Sequence, residues 1–247
     1  MSPNLLRNAL LAALLTSTAL APAFVPAFAA KPSKAAKART PKITIKPEQV
    51  AELYIRVALR QDIEAATQLN EYLKPLYSNN EQPFDLKDLA DTASLEAQHQ
   101  EFADAILQDM PKVDAKKAKP AVAAAIKHLN QVASTSQCRG LSNKEYANEY
   151  VKGGRITDVE FECTVPVLKA RIQDVLASKG PPAKLKTKKL LEGVAEFERS
   201  LDQAGSRVIP GKMTLYAPRK GQPWSTGGYN EVLETVHNGM YAPAEAD

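Results

Sequence analysis

Cys138 and Cys163, the only two cysteines in 247 residues, bracket the stretch that most restricts what this chain can fold into. Around Cys163 the chain alternates strictly. Val159, Phe161, Cys163 and Val165 are apolar, and Asp158, Glu160, Glu162 and Thr164 are polar. A period of two is the mark of a strand with one buried face. Cys163 therefore points inward, where it can meet Cys138; the other possibility is two free buried thiols behaving as small hydrophobes. Ser142-Asn143-Lys144-Glu145 has the spacing of a capping box. It predicts a helix that carries Tyr146 and Tyr150 on one face and stops at Gly153-Gly154. A disulfide would then staple the strand to the segment before that helix.

The compartment bears on the cysteines, and the N-terminus reports it. Met1–Ala29 reads as a secretory signal: Arg7 lies near the start, Ala9 to Leu15 is apolar, and Ala27-Phe28-Ala29 matches a small-x-small cleavage site. Ser17, Thr18, Pro22 and Pro26 interrupt the run short of the roughly 20 apolar residues that a membrane span needs. The expected mature chain has no transmembrane segment, is periplasmic or secreted, and holds the one disulfide that two cysteines allow.

Residues 30–46 carry six cations, no acid and two prolines, a composition that cannot bury apolar surface and predicts a flexible basic arm. Without the signal, 31 basic residues face 28 acidic ones; without the arm, 25 face 28. The body, residues 47–247, is thus slightly acidic, which argues against nucleic acid as a partner. The arm can touch anionic surfaces.

Residues 47–136 read as helices. Pro47 opens the first, with Val50, Leu53, Tyr54, Val57 and Ala58 on one face. Gln61-Asp62 breaks it, and Asp62 caps the next, which carries Leu69, Leu73 and Leu76. Asp85 is expected to cap one long helix ending at Pro111, kinked near Glu96 to Glu101, and Pro120 to open another up to Ser134. In the mixed part, residues 137–247, Pro166 should end the strand. Helices follow near Leu168–Leu176 and Leu185–Leu201, the second with Lys184, Lys186, Lys188 and Lys189 in its first turns, where cations oppose the helix dipole. Pro210-Gly211 predicts a turn between two short strands. Glu231–His237 fits a helix or a strand equally. The expected whole is one α+β domain: a helix-rich N-terminal half, then a small antiparallel sheet with additional helices and one disulfide.

The sequence offers little chemistry. His99, His128 and His237 stand alone, no cysteine pair has zinc spacing, and no nucleophile elbow, phosphate loop or dinucleotide fingerprint is present. No metal or cofactor is expected, and no catalytic residue is assigned. Two groups are candidates for ligand binding. Asp158, Glu160 and Glu162 share one strand face, and could hold a hard cation or an acid–base pair, or simply be the solvated side of a sheet. Trp224 and Tyr229 lie in the glycine-rich stretch Gly221–Tyr229, either as an exposed platform for sugar or peptide or, for Trp224, as a plug at the core edge. The expected function is a non-enzymatic binding or protein-interaction module of the cell envelope, with an envelope protein, peptide or glycan as partner. The alternative is a hydrolase with dispersed carboxylates acting on an envelope polymer.

Overall fold

The computed structural model describes residues 45–78, 81–228 and 230–241. The signal-like segment and nearly all of the basic arm lie outside them. The arm's last two residues belong to the body. Ile45 packs against the core, and the Lys46 backbone N–H donates to Gln49 Oε1 at 3.2 Å, at the start of the first helix.

Five helices come first: α1 (Pro47–Arg60), α2 (Ile63–Leu73), α3 (Leu86–Leu89), α4 (Thr92–Gln108) and α5 (Ala115–Ser134). Aspartates start four of them. Asp62, Asp85, Asp91 and Asp114 each accept a backbone N–H at a helix N-terminus, as short acidic side chains do best. Gln61, with φ 51°, breaks α1 from α2 as expected. The long helix expected from Asp85 is instead two. Asp91 caps a new start, so the interruption falls at Ala90-Asp91 and not in the polar run further on. Pro120 does not open its helix either. Asp114 starts α5 earlier, and Pro120 lies inside it, where the missing N–H loses the bond to the Lys116 carbonyl.

Then come β1 (Gln137–Ala147), β2 (Arg155–Val167), α6 (Ile172–Ser178), α7 (Thr187–Asp202), β3 (Gly205–Ala217) and α8 (Asn230–Tyr241). The three strands form one antiparallel sheet in the order β1-β2-β3. The fold is α+β, with most helices before the sheet, and residues 231–237 are helical.

Four expectations about the sheet need correction. The stretch from Ser142 to Tyr146 is strand, not helix. β1 pairs with β2 along its length, and almost every side chain on it is exposed. A strand with no buried face shows no apolar alternation, so the capping-box match stood uncontested in the sequence. Gly153-Gly154 does not end a helix but closes the β1–β2 hairpin. Gly153 there takes φ 79°, and Asn148 Oδ1 accepts the backbone N–H groups of Tyr150 and Val151. Pro210-Gly211 makes no turn; both lie inside the continuous strand β3, opposite Glu162 and Phe161. Proline is tolerated on an edge strand. Gly211 is required by contact, since a Cβ there would stand 2.3 Å from the Phe161 ring. Pro166, likewise, does not end β2. Pairing with β1 stops at Thr164, so at Pro166 the strand needs hydrogen bonds on one side only.

The alternation in β2 is as the sequence predicts. Thr157, Val159, Phe161, Cys163 and Val165 are buried, and their β3 neighbours Met213, Leu215 and Ala217 join them. Helices α1 and α8 pack on this inner face. One continuous buried cluster runs from Val50 in α1 to Met240 in α8. Cys138 and Cys163 are directly opposite each other and bonded, with Cα atoms 4.0 Å apart. The disulfide thus ties β2 to its neighbouring strand. Among the described residues no helix is long and apolar enough to cross a membrane.

Candidate functional site: the open face of the sheet

Among the described residues on the outer face of the sheet, only Pro166, at the end of β2, is buried. Side chains of paired residues share a face, so the register lays that face out row by row. Arg139 pairs with Glu162, and its guanidinium reaches the carboxylate at 2.6 Å. Ser142 pairs with Glu160 and donates its hydroxyl at 2.8 Å. Lys212 lies opposite Glu160 and bridges to Asp158 at 2.7 Å, while the Thr214 hydroxyl donates to Asp158 at 2.9 Å. Burial pushes the Asp158 carboxyl up, but the Lys212 ammonium and the hydroxyls of Thr214 and Tyr146 outweigh it and hold the group below the usual carboxylate range. The Lys212 ammonium is raised in return, chiefly by its hydrogen bond to Asp158.

The structure therefore brings Asp158, Glu160 and Glu162 into one line, each bound to a cation or hydroxyl from a neighbouring strand. No group of His, Cys, Asp and Glu among the described residues is arranged to hold a metal ion. Asp158, held ionised by its donors, is a poor proton donor near neutral pH. What it does well is orient. Asp158 accepts the Tyr146 hydroxyl and so positions that ring.

Beside the acidic line is a row that the sequence does not reveal. Tyr146, Ile156 and Tyr216 are paired across all three strands. Tyr146 and Tyr216 are each 41% exposed, and Tyr150, at the hairpin tip, is 94% exposed. The row depends on a β-bulge. Between Gly140 and Ser142 the register shifts, and Leu141 is the extra residue. Counting regularly from the Cys138–Cys163 pair would set Tyr146 against Arg155, on the inner face. One inserted residue sends every later side chain of β1 to the other face.

The other sequence candidate divides. Trp224 is half-buried and packs against the core. Its backbone N–H donates to the Tyr72 hydroxyl at 2.8 Å. The adjoining Ser225 exchanges two backbone hydrogen bonds with Tyr216, which pins the loop to the free edge of β3. Tyr229 lies outside the described residues, so the pairing of the two rings has no geometry here. The histidines are dispersed. His99 contacts Asn130 at 3.1 Å, His128 lies 3.5 Å from Asp202, and His237 is buried in α8.

Comparison of the chain with family models, curated proteins and solved structures returns no match.

Proposed function

We propose that this is an exported, non-enzymatic binding protein whose open sheet face receives a partner protein or peptide of the cell envelope. The observation that carries this reading is the row Tyr146–Ile156–Tyr216, an apolar and aromatic centre on a face that no helix among the described residues covers. Along the same face lie charges already paired with one another, Lys212–Asp158 and Arg139–Glu162. Protein interfaces share this composition, with tyrosines at the centre and a charged rim. The edge of β1 is less suited to accept a further strand. Glu52 Oε1 takes the Gly140 N–H at 2.8 Å, the bulge twists the strand, and Lys144 guards the remainder. The face, not the edge, is the contact surface. Export, to the periplasm or outside the cell, is supported by the signal-like Met1–Ala29 and by the disulfide. The pairing of Asp158, Glu160 and Glu162 favours binding over hydrolysis.

The test is photocrosslinking in intact cells, with a benzophenone amino acid at Tyr146 or Tyr216, and at Gln68 on α2 as the control. A discrete adduct from the two sheet positions and none from Gln68 is expected. No adduct from either tyrosine position, or the same adducts from Gln68, would remove the reading.

A further inference from the structure

Helices α5 and α7 start side by side. The backbone N–H of Asp114, which caps α5, donates to the hydroxyl of Thr187, the first residue of α7, at 2.8 Å. Lysines crowd both starts. Residues 112–119 and 184–189 together hold eight lysines and one acid, Asp114. The rest of residues 47–247 holds 17 cations against 27 acids. A mildly acidic body thus carries one concentrated positive pole. Lys117, Lys119 and Lys189 have carboxylate partners in Asp114, Asp104 and Glu192. Among the described residues, Lys112, Lys116, Lys184, Lys186 and Lys188 form no salt bridge, and all five are exposed.

The fold does not explain this placement. The α7 start has Lys186 at its cap position, makes no side-chain cap and has no acid in its first turn. Cations at a helix N-terminus oppose the dipole, and lysines gathered together repel one another. A surface that lowers its own stability in this way gains from an external anion. The type of cation narrows the choice. Both segments contain lysine only, with no arginine and no aromatic residue. Bidentate recognition of a specific phosphate or carboxylate favours arginine, and binding to single-stranded nucleic acid favours aromatic stacking. Strongly hydrated point charges without stacking partners suit a diffuse, extended layer of anionic headgroups.

We propose that the joined starts of α5 and α7 form a docking surface for an anionic lipid bilayer. The positive pole orients the molecule with this end toward the membrane, and the acidic remainder is held away by its own charge. The contact is electrostatic and superficial.

The experiment is co-sedimentation of the chain beginning at Ala30 with vesicles. The vesicles are phosphatidylcholine alone or phosphatidylcholine with about one third phosphatidylglycerol, at about 50 and about 300 mM salt. The two variants replace Lys112, Lys116, Lys184, Lys186 and Lys188 with Gln or with Arg; both retain the basic arm. The parent should bind the anionic vesicles at low salt and release them at high salt. The Gln variant should bind at least about tenfold more weakly, and the Arg variant as well as the parent. Equal binding by the Gln variant overturns the proposal, because the arm alone would then account for attachment. Parent binding to soluble polyglutamate that is tighter than to the vesicles overturns the membrane assignment. Should the five-Gln variant fail to fold, Lys186→Gln with Lys188→Gln carries the same comparison, with a loss of at least about threefold expected.

Discussion

Trp224 shows how one residue's role follows from its contacts. It is half-buried against the core, its N–H is held by the Tyr72 hydroxyl, and the next residue is bonded to the edge of β3. Trp224→Ala should therefore lower stability by about 2 kcal/mol, less than the 3–5 kcal/mol of a fully buried aromatic. Urea denaturation measures the loss, and the tryptophan emission of the parent should be blue-shifted and poorly quenched. A loss below about 0.5 kcal/mol would make the loop a free platform, as surface changes usually cost no more than that. The acids of β2 repeat the lesson. In the sequence Asp158, Glu160 and Glu162 are three spaced carboxylates; in the sheet each has a donor from an adjacent strand. The spacing was legible because it depends on one strand alone. The donors were not, because they come from segments 18 to 56 residues away.

At the scale of elements, α1 rests on β1 at a glycine. A Cβ at Gly140 would stand 2.6 Å from the Glu48 Cβ and 2.9 Å from its Cα, and a helix backbone cannot yield as the end of a side chain can. Gly140 also gives its N–H to Glu52, and Asn143 donates to Glu48 beside it. Gly140→Ala should cost about 2–3 kcal/mol, the range for a side chain forced into a packed contact. Gly227→Ala is the control, since nothing lies within 4 Å of a Cβ there. Thermal unfolding compares the two; equal midpoints would mean that α1 does not depend on this approach. The helices were the legible elements, because an amphipathic face and an aspartate cap are written within a dozen residues. Local signals misled in two ways: a contact from elsewhere outweighed them, or a nearby cap pre-empted them. Ser142–Glu145 is drawn into a strand by β2, and Asp114 and Asp91 set helix starts that the prolines and the polar run obscured.

For the whole molecule, acid stability reports how tightly α8 closes the core. His237 is 9% exposed among residues of α8, and its Nδ1 has no hydrogen-bond partner among the described residues. Burial, and then the nearby Arg171 guanidinium, lower it from 6.5 to about 4. The same Arg171 lies over the Tyr241 ring, which packs against His237. Between these two values the unfolded chain binds a proton that the fold refuses. Stability should therefore fall as pH drops from about 6.5 towards 4, by about 2 kcal/mol between pH 7 and pH 5, and this contribution levels off below 4. His237→Leu should flatten that slope in chemical denaturation at the two pH values. An unchanged slope would mean that other groups carry it.

The sequence by itself determined the parts whose cause is local: the helical N-terminal half, the buried alternation of β2, the pairing of two cysteines and the concentration of cations before Pro47. Each follows from composition or periodicity within one segment, where the physics of burial needs no partner to be specified. The tertiary structure alone decided three further things. It made β1 a strand through its pairing with β2. It turned Tyr146 outward into line with Ile156 and Tyr216 through the bulge at Leu141. It brought the lysines of residues 112–119 beside those of 184–189. All three rest on contacts between segments distant in the chain. A one-residue shift in strand register, or the distance between two helix starts, leaves no periodic trace in either partner.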